Sequence, residues 1–328
     1  MSTTVYPYLT PEKLIEAEEE ARIKELSWLL ESLEEETFQA LKNGINECLA
    51  LLAPVHPGST LVLSSHRSEN IKGHVTRIGS QIVKGTINLR LRTHAPLNLS
   101  ISPVSSTTTT TTVAKNNDGF YLPSLRTLST LLEQALDCLN SVLFSFGSQI
   151  GQSSSINSTS NIIFSQLRLL YSLIHESLLI LKGSDLYLAK CTSHVSSQYG
   201  TKAWNEEPLE SVIFTPELPS TLALDIKISD CSLLLTIRVL ELCTQTPTIS
   251  SLFLTGIGVQ RRLEHDEMDQ EFFYRGMSVR VKEKYQVESS ADPCLLSCAA
   301  KLQALERSTL GAMDALRALT GRRDEELE

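Results

Sequence analysis

Two amphipathic helical stripes, one near each end of the sequence, constrain this chain more than any other feature. The first begins at Thr10-Pro11-Glu12, a threonine N-cap followed by proline at the first helical position, where no backbone donor is lost. Its apolar positions run Leu26, Leu30, Leu33, Thr37/Phe38, Leu41, Ile45, Cys48, Leu49 and Leu52, and it stops at Ala53-Pro54. The second starts at Asp292-Pro293 and stops at Gly321. Its stripe is Leu295, Cys298/Ala299, Leu302, Leu305, Leu310, Met313, Leu316 and Leu319. Each stripe must leave water against a partner. If they pair with each other, the two ends of the sequence close the fold.

Two further stripes lie in the middle. Residues 122–146 align Leu125, Leu128, Leu132, Leu136, Leu139, Leu143 and Phe146 on one face. The next helix aligns Ile163, Leu167, Leu170, Ile174, Leu178 and Leu181, and Gly183 closes it. Helices of this kind are expected to form a bundle. Elsewhere the period switches to two. Leu61 and Leu63, then Ile87, Leu89 and Leu91, then Leu97, Leu99 and Ile101 alternate with polar residues, and Gly79-Ser80 reads as a hairpin turn. A second block alternates through Leu222, Leu224, Ile226 and Ile228, turns at Ser229-Asp230, and resumes through Leu233, Leu235, Ile237 and Val239. Met277, Val279, Val281, Tyr285 and Val287 continue it. Short turns favour antiparallel pairing.

The expected fold class is therefore α+β: a helical bundle formed by the N-terminal, two central and C-terminal helices, plus an antiparallel β part built from two separated strand blocks. The expected division assigns 10–54, 122–200 and 292–321 to a helical-bundle domain, and 58–103 and 212–290 to an antiparallel β domain. Residues 104–121 and 147–160 are rich in Ser, Thr, Asn and Gly and offer nothing to bury, so they read as disordered or loop insertions. Residues 186–210 read ambiguously, as a short helical extension and then loop.

A net charge of −9 argues against a dedicated nucleic-acid binder. Most of that charge is local, with ten glutamates against Lys13, Arg22 and Lys24 between positions 12 and 36. A solvated helix face is the preferred reading, and an acidic docking surface the other. No basic leader precedes an apolar stretch, so no signal peptide is expected. The richest apolar run, 162–181, contains Gln166, Arg168, His175 and Glu176 and reads as a core helix, not a membrane span. Seven scattered cysteines fit reduced, buried thiols in the cytosol.

Catalytic chemistry finds no foothold. Gly256-Ile-Gly258 lacks a third glycine and a following Lys-Ser/Thr, so it reads as a turn and not a phosphate loop. Cys294 and Cys298 could share a helix face, but no second ligand pair completes a zinc site. His56, His66, His74 and His94 do not converge by spacing. No Gly-x-Ser-x-Gly elbow is present, and His265-Asp266-Glu267 reads as part of an exposed polar loop. No catalytic, cofactor-binding or metal-ligating residue is assigned, and no cofactor is expected.

Arg90 and Arg92 are expected on one strand face, and Arg280, Lys282 and Lys284 on another. On neighbouring strands they would form a basic strip, either guarding a sheet against edge pairing, the preferred reading, or docking an acidic surface. Trp28 reads either as a core residue, again preferred, or as an exposed partner anchor.

Four ordered blocks carry a family resemblance: Glu25-Leu-Ser-Trp-Leu-Leu30; Ile71-Lys-Gly-His-Val with Ile87-Asn-Leu-Arg-Leu91; Phe214-Thr-Pro-Glu-Leu-Pro-Ser220 with the two strands after it; and Gly276-Met-Ser-Val-Arg-Val with Tyr285-Gln-Val-Glu288. In this order they resemble the Rogdi family, the small subunit of the RAVE complex that regulates V-ATPase assembly. The resemblance implies an elongated protein without enzymatic activity, an adaptor beside a large β-propeller-containing RAVE subunit. It further implies contact with V-ATPase peripheral-sector subunits, support of vacuolar acidification, and no nucleic-acid partner. Localisation would be cytoplasmic, with recruitment to vacuolar or endosomal membrane through partners. The competing expectation is a general helical scaffold with unrelated partners. The stripes are too broad for a strict leucine zipper, and Gly44 and Gly311 interrupt them.

Overall fold

The computed structural model describes residues 10–64, 70–101, 120–149, 156–183, 204–206, 208–209, 211–243, 264–268 and 270–321. It is α+β, with long helices and two antiparallel sheets. The opening helix runs in three pieces: α1 (Pro11–Ser32), a π-helical turn (Leu33–Phe38) and α2 (Gln39–Leu52). The π turn answers a fault in the stripe. Leu33 and the next large apolar residue, Phe38, are five apart, one too many for an α-helical face. One wider turn absorbs the extra residue and leaves both buried. Thr10 occupies the N-cap position in an extended conformation without a side-chain capping bond; only its carbonyl contributes, accepting from Leu14 N at 3.0 Å.

The other helices are α3 (Pro123–Gln149), α4 (Ile156–Lys182) and α5 (Pro293–Thr320). All six stripe residues read for α4 are buried. In α3, Ala135 and Val142 are buried while Leu136 and Leu143 are only half-buried, and Phe146 lies outside the described side chains. In α5, Leu310 is exposed and Thr309 occupies the buried position, its hydroxyl donating to Leu305 O at 2.8 Å. The 147–160 insertion is narrower than expected, because α3 persists to Gln149 and α4 begins at Ile156. Asn, Ser and Thr suit a first helical turn. The Ser/Thr tract 105–112 lies outside the described residues.

The chain divides into two compact units, one of Met1–Ala50, Ser129–Leu178 and Cys298–Glu328, the other of Leu51–Leu128 and Leu179–Ser297. Within the first, a Cβ on Gly44 would sit 2.6 Å from Leu305 Cδ2, Glu47 pairs with Lys301, and the Cys48 thiol hydrogen-bonds Cys298. Numbers rise on α2 as they fall on α5, so these helices meet antiparallel. His175 meets Glu306 at 2.7 Å and Phe164 meets Arg317, which pairs α4 and α5 in the same sense. Cys138 donates to Gln166 Oε1 at 3.1 Å, linking α3 and α4.

The second unit holds both sheets. One has the order β1 (Ser59–Ser64), β2 (Ile71–Ile78), β3 (Gln81–Leu89), β4 (Leu97–Ile101), β6 (Phe214–Thr215), with β5 (Phe120–Tyr121) also on β3. The β5 strand falls inside the 104–121 stretch expected to be insertion; its aromatic pair opposes Gln81 and Ile82. The other sheet has the order β7 (Leu222–Ser229), β8 (Ser232–Leu242), β10 (Met277–Glu288), β9 (Glu271–Tyr274). The β7–β8 turn sits at Asp230-Cys231, one residue beyond expectation, with φ of 45° and 60°. Two adjacent left-handed residues match the twist of a two-residue hairpin. The same turn caps α4: Cys231 N donates to Leu181 O at 3.0 Å and Asp230 N to Lys182 O at 3.2 Å.

Candidate functional site

The structure separates the basic residues expected on one face of β10. Val281 pairs with Leu240 but Glu283 pairs with Val239, so β10 carries an extra residue at Lys282. This β-bulge reverses the alternation. Lys284 moves to the side of Val279 and Val281, while Arg280 stays on the other side. Lys284 now stands directly across from Arg238 on β8. Two opposed cations repel across a strand pair. The turn at residues 264–268 supplies the acids that answer them.

Glu267 accepts from Arg238 Nε at 2.6 Å and Nη2 at 2.8 Å, and from Lys284 Nζ at 2.8 Å. Asp266 accepts from Lys284 Nζ at 2.8 and 3.1 Å. The Arg238 guanidinium lies 4.7 Å from the Trp204 ring centroid. The Lys284 ammonium holds Asp266 below the usual carboxylate range. Burial pushes Glu267 up, but hydrogen bonds from Arg238 and Lys284 outweigh it and hold Glu267 low as well. Burial pulls Lys284 down, yet the two carboxylates keep it above the usual lysine range. Asp266, Glu267 and Lys284 are therefore all ionised at neutral pH.

His265-Asp266-Glu267 is thus not simply an exposed loop. Asp266 is exposed, whereas the Glu267 side chain retains only 13% of its accessibility. Among the described residues, Arg238 Nη1 and both ring nitrogens of His265 are buried without a hydrogen-bond partner. Sequence reasoning passed over Arg238; its signal was a lone cation inside the apolar run of β8.

The other candidates take different partners. Arg92, beyond the end of β3, meets Glu264 at 3.6 Å, and both are well exposed. Arg280 pairs with Glu271 across β9 and β10. Arg90 and Lys282 are exposed. The five cations therefore do not form one strip. Trp28 is 69% exposed, against the preferred core reading. The buried line through Leu26, Leu30 and Leu33 leaves position 28 on the outward side of α1.

Among the described residues no cysteine is in a disulfide. Cys298 holds the Cys48 thiol below the usual range through its hydrogen bond, whereas Cys294 Sγ lies 3.8 Å from Ser59 Oγ. The two α5 thiols thus take different neighbours. His74 bonds Thr86 at 3.1 Å and His94 bonds Ala95 O at 2.9 Å, while His66 lies outside the described residues. Among the described residues no group of three or more His, Cys, Asp or Glu is placed to hold a metal ion, and no helix is long and apolar enough to cross a membrane.

The blocks carrying the family resemblance fall on α1, β2–β3, β6–β8 and β10. The family model described as Rogdi leucine zipper containing protein matches residues 25–317. The chain belongs to the Rogdi family. This Rogdi-family chain is also similar to the regulator of V-ATPase in vacuolar membrane protein 2 of Schizosaccharomyces pombe (strain 972), at 24% identity over 297 residues, covering 87% of this chain and 90% of the relative.

Proposed function

We propose that this chain is a non-catalytic adaptor that regulates the V-ATPase, promoting assembly of its peripheral catalytic sector with its membrane sector and so supporting vacuolar acidification. The observation that carries the reading is a match, along 87% of the chain, to a relative named as a regulator of V-ATPase. The Rogdi match over residues 25–317 supports it. In this reading the opening, central and closing helices form one bundle and the sheets a separate β part. The chain stays in the cytoplasm and reaches the membrane through partners, among them a large β-propeller-containing subunit and peripheral-sector subunits. Such a factor works by differential binding: it holds partners in orientation, lowers the entropic cost of docking, and then releases them. Trp28, Arg90, Arg92, Arg280 and Lys282 are the proposed contact positions; Lys284 is engaged by Asp266 and Glu267.

Mild affinity purification with quantitative mass spectrometry tests this. Enrichment of peripheral-sector subunits together with a propeller-containing protein is expected. Recovery of unrelated proteins without V-ATPase subunits would favour the general scaffold.

A further inference from the structure

Among the described residues, nothing covers the first half of α1. Every residue from Pro11 to Ala21 is exposed, and the first buried side chain is Leu26. At 3.6 residues per turn, Leu14, Ala17, Ala21 and Trp28 fall within about 60° of one another, on the side opposite Leu26 and Leu30. Leu14 is 56% exposed and Trp28 69%. The strip is shallow at its alanines and anchored at both ends by large apolar side chains. Glu18 and Glu25 border it on one side and Lys13, Glu20, Lys24 and Glu31 on the other, all exposed.

The charge pattern identifies the occupant. Helix α1 holds seven glutamates against Lys13, Arg22 and Lys24. Arg22 pairs with Glu19, but Glu12 and Glu16, and Glu16 and Glu20, are like charges four apart, a spacing that destabilises a helix. An exposed helix of this length is marginal in water. Glu12 and Glu16 lie on the far face, but the net charge of the helix, four negative, draws a cationic partner to the strip, where Glu18 and Glu25 meet it. A second copy of α1 would oppose acid to acid. Membrane surfaces and nucleic acids carry the wrong sign.

We propose that the outward face of α1, Leu14, Ala17, Ala21 and Trp28 beside Glu18 and Glu25, is a docking site for a basic amphipathic helix of a partner protein. This deepens the adaptor reading, from which it takes Trp28 as a partner contact. The acidic residues steer encounter and the apolar strip sets dwell time.

The test uses the full chain and a synthetic 21-residue peptide with leucines at helical a and d positions flanked by lysines, against a scrambled peptide of equal composition. The amphipathic peptide is expected to bind about tenfold more tightly than the scrambled one, and less tightly as salt rises. Trp28→Ala should abolish that preference, and Glu18→Lys with Glu25→Lys should abolish binding, with helicity by circular dichroism unchanged. Equal binding of both peptides, or an undiminished preference in Trp28→Ala, overturns the proposal. In cells, a photo-cross-linking benzoylphenylalanine at position 14 or 28 should capture one and the same basic helical segment. Capture of a second copy, of an acidic segment, or of nothing also overturns it. These readouts are separate from V-ATPase co-purification, so either reading can fail while the other stands.

Discussion

Asp292 accepts a hydrogen bond from Arg77 Nε at 2.6 Å with both side chains sealed from solvent, at 0% and 3% exposure. Each partner does a second job. Asp292 Oδ1 caps α5, accepting from Cys294 N at 2.9 Å and Leu295 N at 3.4 Å, and its own N–H donates to Cys231 O at 2.9 Å. Arg77 also donates to Gly79 O in the β2–β3 turn. One ion pair thus ties a strand, two hairpin turns and the start of the closing helix.

Breaking that pair from one side leaves a buried charge unanswered. Asp292→Asn is expected to lower unfolding free energy by about 3–5 kcal/mol, and Asp292→Ala by about 1 kcal/mol more through loss of the cap. Arg77→Met combined with Asp292→Asn should cost less than the two single changes summed. Urea denaturation of the four-member cycle measures this; simple additivity would show that the pair is not coupled.

Two helical glycines should behave oppositely. Around Gly311 a Cβ would meet nothing within 4 Å, so Gly311→Ala should stabilise by about 0.5–1 kcal/mol from helix propensity. Gly44→Ala gains the same propensity but places its Cβ 2.6 Å from Leu305 Cδ2. Displacing a packed leucine costs about 1–3 kcal/mol, so Tm should fall. A rise in Tm for both variants would mean that the α2–α5 seam is loose.

The clamp on β8 and β10 has a defined pH window. Asp266 and Glu267 are held low, so their contribution is full above the unfolded carboxylate range, about pH 4, and fades as pH falls through the folded values. Lys284 is held high, so its share is full below the unfolded lysine range, about pH 10, and is lost as pH rises beyond it. Glu267→Gln should therefore cost about 3 kcal/mol at neutral pH and less near pH 4. Denaturation of both proteins across that range checks the sign. An equal cost at both pH values would contradict the clamp.

What the sequence made legible follows from how each element is built. The six large aliphatics read for α4 all lie at buried positions, whereas its buried serines, Ser160 and Ser177, give no apolar signal. In α3 and α5 the leucines alone mislead, because the period places Ala135, Val142 and Thr309 inside. The π turn was visible only as the ambiguous Thr37/Phe38 position. The Lys282 bulge was invisible, since an extra residue in a strand changes facing without changing composition. Lys284 was consequently placed on the wrong face, and its partner Arg238 was hidden in an apolar run.

The most direct test of the regulatory role is the fraction of V-ATPase peripheral-sector subunits bound to vacuolar membrane, with vacuolar pH, in cells lacking this chain and in cells in which it is restored. The expected result is reduced membrane-bound peripheral sector and poor acidification at unchanged total subunit levels, both recovered on restoration. Normal acidification with a normally assembled pump in cells lacking the chain would contradict the account.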